Sequence, residues 1–230
     1  METEKSRQLF LFDVGAVLLE LTYKRFVDAV EERIGKGNYA KFHENYKKIE
    51  VLAAKGQISP EEYLNELGNL LGGGLSAEAV AQLSSLRFGR QINEMTALKR
   101  RLHDKGYTVG IFSNTPKFDF ETFGGRDPEI VETWGGPVIV SFKAGEMKDT
   151  GGMFEEIDRM GFKRVTYIDD NAAYANNGAL RGWNSILFTP YIDPSETNRI
   201  LHGNVAAGKD VRIARSFNEL KKMIRDYADK

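Results

Sequence analysis

The chain has 230 residues, of which 41% are hydrophobic and 28% are charged, the composition of an ordinary soluble globular protein. Lys and Arg number 32 against 33 Asp and Glu, so the net charge of -1 gives no electrostatic reason to expect nucleic acid or an anionic membrane as a partner. The sequence contains no cysteine, which excludes disulfides, thiolate metal sites and cysteine nucleophiles.

The N-terminal segment lacks the pattern of a secretory leader. Residues 1–8 are polar, and the apolar run that follows covers only residues 9–12, which is shorter than a signal peptide requires. No stretch of about 18 apolar residues is present that would form a transmembrane helix. We therefore expect a cytoplasmic protein with no membrane partner.

The apolar run at residues 9–12 (LFLF) is the first predicted strand, and it ends abruptly at Asp13. A short run with no polar residue is typical of a central parallel strand that is buried on both faces. Residues 22–90 follow a different pattern, in which Phe26 and Val30 begin an apolar stripe with helical spacing. Because no strand-like run interrupts this region, we predict a helical insert.

From residue 93 onward, predicted helices and strands alternate. Helices are predicted at residues 95–105, 153–160, 172–181 and 216–227, and strands at 107–112, 138–140, 164–168 and 184–188. This alternation indicates an α/β fold with a doubly wound parallel sheet of five or six strands.

The domain organisation follows from these elements. An α/β core domain would comprise residues 1–20 and 92–230, and an inserted all-helical cap domain would comprise residues 21–91. Apolar and polar residues alternate in segment 118–123, which is expected to be a short strand or a loop that lines the cleft. The role of residues 190–212 stays open.

Polar residues that suit phosphate chemistry follow the predicted strands. They are Asp13, the pair Ser113 and Asn114, Lys148, and the pair Asp169 and Asp170. A carboxylate can attack phosphorus, a hydroxyl with amide groups can hold phosphoryl oxygens, a lysine can neutralise charge, and further carboxylates can hold Mg²⁺. Ligands of such sheets bind beyond the carboxyl ends of the strands, so we expect these side chains to meet there.

Four segments, in this order, resemble the four motifs of the haloacid dehalogenase superfamily. They are residues 10–18 (FLFDVGAVL), 111–115 (IFSNT), 145–149 (GEMKD) and 167–171 (YIDDN), and residues 178–183 (GALRGW) continue the family's helix-to-strand return. The lysine of the third motif usually precedes proline, whereas Lys148 precedes Asp149. The resemblance implies a Rossmann-like core with the helical insert as a cap that closes over the site.

The resemblance also implies a magnesium site and a nucleophile. Asp13 would be the nucleophile and a metal ligand, with the backbone carbonyl of Gly15 and the carboxylate of Asp170 as further ligands. Asp169 would lie near the metal or in its outer shell. The implied enzyme is a Mg²⁺-dependent phosphatase that hydrolyses a small phosphorylated metabolite through an aspartyl-phosphate intermediate.

The remaining motif residues would handle the phosphoryl group. By the same resemblance, Ser113 and Asn114 would bind it, and Lys148 would orient Asp13 and offset negative charge. Lys143 competes with Lys148 for the role of catalytic lysine, and the spacing Gly-x-x-Lys favours Lys148.

Position 15 departs from the family pattern. Phosphatases of this family usually carry a second aspartate two residues after the nucleophile, where this chain has Gly15. That aspartate protonates the leaving alcohol and then activates water, and general acid–base help of this kind contributes roughly 10²–10⁴ in rate. Family members with Asp-x-Gly include sugar-phosphate phosphatases, and an anomeric phosphate has an acidic leaving oxygen that needs little protonation. A sugar phosphate is therefore the preferred substrate.

Two other functions remain open. Dehalogenases of the family also lack the second aspartate, but they use no metal and their fourth motif typically lacks the paired carboxylates that Asp169 and Asp170 form here. A catalytically impaired phosphate-binding or regulatory protein could also retain the fold.

Structural roles compete with these functional ones. Asp13 and the run Asp169, Asp170 and Asn171 are also residues that cap helices at their N-termini. Arg87 and Arg90, near the end of the insert, are within reach of a substrate phosphate or carboxylate in this interpretation.

Overall fold

A computed structural model describes residues 3–191 and 207–228 of the chain. Its strands are β1 (Gln8–Phe12), β2 (Leu19–Leu21), β3 (Phe88–Gln91), β4 (Thr108–Ser113), β5 (Val138–Val140), β6 (Arg164–Asp169), β7 (Asn184–Phe188) and β8 (Arg212–Ala214). Its helices are α1 (Tyr23–Ile34), α2 (Tyr39–Ala54), α3 (Pro60–Leu70), α4 (Ala77–Ser85), α5 (Asn93–Asp104), α6 (Lys117–Arg126), α7 (Ser141–Ala144), α8 (Gly152–Arg159), α9 (Ala172–Leu180) and α10 (Phe217–Ala228).

Six parallel strands form the central sheet, in the order β5-β4-β1-β6-β7-β8. β1 lies in the middle, and its residues alternate between two apolar clusters on opposite faces of the sheet. Phe10 and Phe12 pack with α5 and α10, whereas Leu9 and Leu11 pack with α8. This burial on both faces confirms the α/β class and explains why the first strand contains no polar residue between positions 9 and 12.

The helices α1 to α4 share an apolar cluster of their own. Its buried residues include Phe26 of α1, Phe42 of α2, Tyr63 of α3 and Val80 of α4. A capping box begins α3, where Ser59 Oγ accepts a hydrogen bond from the backbone N–H of Glu62 at 3.1 Å. The insert therefore packs as a helical unit beside the sheet, and the exact domain boundaries stay a prediction.

Two short strands flank the insert. β2 and β3 pair antiparallel in a two-stranded sheet, with Leu19 opposite Gln91. The sequence pattern did not reveal this ribbon, because β3 is short and contains Gly89, a residue that rarely marks a strand. The chain therefore enters the helical insert through β2 and returns to the core through β3, and the two strands pair with each other.

The expectation for segment 118–123 was wrong, because these residues lie within helix α6. Phe118 contacts Tyr63 of the insert, while Phe120 and Phe123 pack with the main core. A helix that packs on two sides has apolar residues on more than one face. In α6 this places apolar residues at nearly every second position, which looks like the alternating pattern of a strand.

The last strand of the sheet lies near the C-terminus. β8 begins at Arg212 and pairs with β7, so the described residues form a sheet of six strands, within the expected five or six. Residues 192–206 lie outside the described part of the chain, and with them most of segment 190–212. No helix within residues 3–191 and 207–228 combines the length and the apolar character that crossing a membrane requires.

Close packing of α9 against the sheet provides a test of this arrangement. A Cβ atom added at Gly178 would lie 2.6 Å from Ser185 Oγ and 3.0 Å from Tyr167 Cδ1. We expect Gly178→Ala to lower the free energy of unfolding by about 1–3 kcal/mol, because α9 must move away from the sheet. Urea denaturation measures the change. Gly125→Ala in α6 is the control, since nothing lies within 4 Å of its added Cβ; equal stability losses in the two variants would contradict the packing described.

Candidate active site

The predicted catalytic residues lie together at the carboxyl edge of the sheet. Asp13 follows β1, Ser113 ends β4, and Asp169 ends β6. Because β1 pairs with both β4 and β6, these three strands end side by side. The backbone N–H of Asp13 continues the pairing by donating to the carbonyl of Ile168 at 3.0 Å.

A buried ammonium group joins two of these carboxylates. Lys148 Nζ donates to Asp13 Oδ1 at 2.7 Å and to Asp169 Oδ2 at 2.6 Å, and the lysine is only 1% exposed. Lys143, the competing candidate, instead lies over the rings of Phe120 and Phe142. Of the two lysines, Lys148 is therefore the one placed for chemistry at Asp13.

Three carboxylates are concentrated around this lysine. Oxygen atoms of Asp13, Asp169 and Asp170 lie within 4.8 Å of one another, and all three residues are buried. Burial raises the pKa of Asp13 to about 6, while the charge of Lys148 opposes this rise and that of Asp169 adds to it. Burial and the charges of Asp169 and Asp13 also raise the pKa of Asp170. One ammonium therefore leaves much of the negative charge uncompensated, as expected of a site for a divalent cation.

The carboxylate of Asp169 is already held by the protein. Its Oδ2 accepts from Lys148 and from the hydroxyl of Tyr167, and its Oδ1 accepts from the backbone N–H of Asn171 at 2.7 Å. This arrangement suits a residue that positions Lys148 and contributes negative charge near a metal ion without coordinating it. Asp13 and Asp170 are the carboxylates better placed for direct coordination.

The side chain of Asn114 makes hydrogen bonds within the protein. Its Oδ1 accepts from the backbone N–H of Lys148 at 2.9 Å, and its Nδ2 donates to the hydroxyl of Tyr174 at 3.1 Å. The side chain therefore fixes the loop that carries Lys148 and keeps one further N–H for a ligand.

Sequence reasoning missed the aromatic surroundings of Lys148. Its ammonium lies 5.0 Å from the ring centre of Phe112, 5.4 Å from that of Tyr167 and 5.3 Å from that of Tyr174. Such rings stabilise a desolvated cation by cation–π attraction. Tyr167 is visible within the fourth motif, but nothing in the spacing indicates that Tyr174 would face Lys148 from α9.

The loop after β1 brings Gly15 to the cavity wall. Ala16 has a positive φ of 52°, and its N–H donates to the carbonyl of Leu19 at 2.7 Å, so the chain turns sharply after Asp13. A Cβ at Gly15 would lie 3.2 Å from Leu21 Cδ1. At the other side of the site, Asn171 caps α9, with its Oδ1 accepting from Ala173 N at 2.9 Å.

The site opens into a cavity of about 390 Å³ between the core and the insert. Its core side is lined by Asp13, Gly15, Ser113, Asn114, Lys148, Asp169, Asp170 and Tyr174. Its insert side is lined by Tyr23, Glu50, Val51, Ala54 and Arg87. A cavity of this volume suits a small molecule.

Arg87 fastens the insert to the core. Its Nε and Nη2 donate to the carbonyl and hydroxyl of Ser84, each at 2.9 Å, and its Nη1 donates to Tyr46 Oη at 2.6 Å and Glu50 Oε1 at 3.2 Å. Nη2 also donates to Asp119 Oδ1 at 2.6 Å, across the boundary to α6. All five N–H groups of the guanidinium thus have protein acceptors. The expectation that Arg87 reaches a substrate anion is not supported by this geometry.

Comparison with known proteins yields structural matches only. No protein-family model and no curated protein matches the sequence. The HAD family enzyme bt-2542 from Bacteroides thetaiotaomicron, in complex with magnesium and inorganic phosphate, matches with a TM-score of 0.66 at 19% identity, over 76% of this chain and 91% of that one. A predicted HAD-like family hydrolase from Porphyromonas gingivalis matches with a TM-score of 0.63 at 22% identity, over 76% and 88% of the two chains.

The chain has the fold of the haloacid dehalogenase superfamily. An L-2-haloacid dehalogenase from Xanthobacter autotrophicus, with chloropropionic acid covalently bound, shares this haloacid dehalogenase fold with a TM-score of 0.60 at 11% identity, over 94% of this chain and 98% of that one. The Rossmann-like core with an inserted helical cap is thereby confirmed. Identities this low establish the fold, and the chemistry has to be argued from the site.

Removal of Arg87 tests whether it fastens the insert to the core. We expect Arg87→Met to lower the free energy of unfolding by about 3–5 kcal/mol, because Asp119 would be left as a buried, unpaired charge. Urea denaturation followed by circular dichroism measures the loss. Arg90→Met is the matched control, since the Arg90 side chain is 88% exposed and lies 3.5 Å from Glu20. An effect of Arg87→Met no larger than that of the control would show that the buried network does not stabilise the fold.

Proposed function

We propose that this chain is a Mg²⁺-dependent phosphatase that hydrolyses a small phosphorylated metabolite through a phosphorylated Asp13. The observation that carries the proposal is the bridge from Lys148 Nζ to Asp13 Oδ1 and Asp169 Oδ2, beside Asp170 and at the floor of the cavity between core and insert. This arrangement supplies a nucleophile, a fixed positive charge and spare carboxylate ligands at one point, which is what phosphoryl transfer requires.

Asp13, Asp170 and the backbone carbonyl of Gly15 would hold the magnesium ion, and Asp169 would support it from the second shell. When bound, Mg²⁺ supplies positive charge that offsets the carboxylates and the phosphoryl oxygens. The clustered oxygens and the raised pKa values of Asp13 and Asp170 support this assignment, because burial and then repulsion among the carboxylates raise these values, and a cation would stabilise the ionised forms. The magnesium and phosphate named with the Bacteroides enzyme agree with it.

The chain's own residues then carry the reaction in two displacements. A carboxylate oxygen of Asp13 forms a bond to phosphorus while the bond to the leaving oxygen breaks, and the electron pair stays with that oxygen. Water next attacks the phosphorus of phospho-Asp13, so that inorganic phosphate leaves and the carboxylate is restored. Lys148 keeps Asp13 ionised, and the Ser113 hydroxyl and the remaining Asn114 N–H hold phosphoryl oxygens.

Gly15 limits which leaving groups depart readily. No carboxylate projects from position 15 to protonate the leaving oxygen, so acidic leaving groups are favoured. The anomeric oxygen of a sugar is more acidic than an ordinary alcohol, which makes a sugar 1-phosphate the preferred class of substrate.

Dehalogenation fits the charges of the site less well. A haloacid carries a carboxylate, and this site already contains three carboxylates against the single ammonium of Lys148. Without a metal ion, the site would repel such a substrate. Surplus negative charge therefore favours a metal-bound phosphate over a haloacid.

Replacement of the nucleophile tests the proposed reaction. Wild-type protein should hydrolyse p-nitrophenyl phosphate only with Mg²⁺, and Asp13→Asn should reduce kcat by more than about a thousandfold, as loss of a nucleophile does. Release of p-nitrophenolate measures the rate. Asp149→Asn is the control, because Asp149 neighbours Lys148 in sequence but is exposed. Normal turnover by Asp13→Asn would refute the mechanism, and no turnover by wild type would favour a binding or regulatory protein.

Restoring a carboxylate at position 15 tests the explanation from leaving-group acidity. Gly15→Asp should raise kcat on phosphates of ordinary alcohols by roughly tenfold to a hundredfold, because a general acid is supplied. Turnover of p-nitrophenyl phosphate, whose leaving group needs no proton, should change little. Leu21 must shift by a few tenths of an ångström to admit the side chain. No gain in a variant with an unchanged melting temperature would contradict the explanation.

A further inference from the structure

The basic side chains that line the cavity are already engaged by acidic groups of the protein. Among the described lining residues these are Lys148 and Arg87. Lys148 pairs with Asp13 and Asp169, and each of the five N–H groups of Arg87 already has a protein acceptor. Arg87 therefore has no donor left for a second anionic group of a substrate, and the third N–H of Lys148 lies beside Asp13, where the phosphoryl group itself would bind.

At the junction of insert and core, two acidic side chains surround the single basic side chain of Arg87. Glu50 of α2 and Asp119 of α6 share the single charge of Arg87 at 3.2 and 2.6 Å. Both residues line the cavity, but the Asp119 side chain is only 5% exposed, whereas that of Glu50 is 30% exposed. Burial raises the pKa of Asp119 to about 6, and the charge of Arg87 opposes this rise.

Glu50 is the acid that a bound molecule would meet. Its Oε1 accepts from Tyr46 Oη and from Arg87 Nη1, both at 3.2 Å, which fixes the carboxylate at the cavity wall. A carboxylate held in this way accepts hydrogen bonds from hydroxyl or ammonium groups and repels anions. The wall on this side of the cavity therefore favours neutral or cationic groups over anionic ones.

We infer that the substrate carries its phosphoryl group as the only anionic group, that the remainder is a neutral hydroxylated or a cationic moiety, and that Glu50 is the residue that determines this specificity. The inference rests on the proposed function and narrows it. Bisphosphates and phosphorylated carboxylic acids are excluded, while phosphorylated sugars, amino sugars and amino alcohols fit.

Three aryl phosphates that differ only in the para substituent test this inference. They are phenyl phosphate, 4-(aminomethyl)phenyl phosphate and 4-carboxyphenyl phosphate, with neutral, positive and negative substituents, and p-nitrophenyl phosphate serves as the general assay of activity. We expect wild-type kcat/KM to be lower for the carboxylate than for the ammonium compound by at least about tenfold, the size of effect that one nearby charge produces.

Two variants assign the effect to Glu50. Glu50→Gln keeps an acceptor for Arg87 but removes the charge, and it should narrow the ratio between the ammonium and carboxylate compounds by about tenfold. Glu44→Gln removes an exposed carboxylate from the same helix, 3.1 Å from Lys48, and should leave that ratio unchanged. Melting temperatures show whether each variant is folded.

The outcomes separate the inference from the proposed function. Hydrolysis of p-nitrophenyl phosphate together with equal or faster hydrolysis of the carboxylate compound would overturn the inference and leave the phosphatase standing. An unchanged ratio in Glu50→Gln would overturn the assignment to Glu50. Absence of any Mg²⁺-dependent hydrolysis would overturn the proposed function, and the inference would fall with it.

Discussion

The buried ammonium of Lys148 is the interaction on which the site depends. Burial alone would lower its pKa, but the charges of Asp13 and Asp169 raise it above the usual value, so that the lysine stays protonated. Three aromatic rings and two carboxylates replace the water that the ammonium has lost. The single positive charge of Lys148 does not balance the three carboxylates around it. The fold thus creates a surplus of negative charge that a metal ion would balance.

Residues at the ends of strands could be predicted from the sequence because each of them follows a local signal. Asp13 interrupts an apolar run, and the parallel pairing of β1 with β4 and β6 then brings the strand ends together. Tyr174 and the partners of Arg87 could not be found in this way. Arg87 and Asp119 are 32 residues apart and belong to different parts of the fold, and no periodic pattern links them. Short strands β2 and β3 were missed for a related reason, because their pairing depends on the whole insert.

Arg87 connects the insert to the part of the core that would bind phosphate. Asp119 lies in the first turns of α6, and α6 follows closely after Ser113 and Asn114 at the end of β4. The contact between Phe118 and Tyr63 reinforces this junction with an apolar pair. The position of the insert is therefore fixed by the same segment of chain that carries the proposed phosphate ligands, and the cavity wall is aligned with the site at its floor.

This junction also determines the charge of the cavity. An arginine at the wall of such a cavity could bind an anion, but here the interface between insert and core occupies every N–H of Arg87. Burying the guanidinium required compensating acids, and one of them, Glu50, remains partly exposed at the cavity wall. Stabilisation of the junction and the proposed selection against anionic substrates would thus follow from one set of contacts. A change that freed Arg87 for a substrate would at the same time loosen the insert from the core.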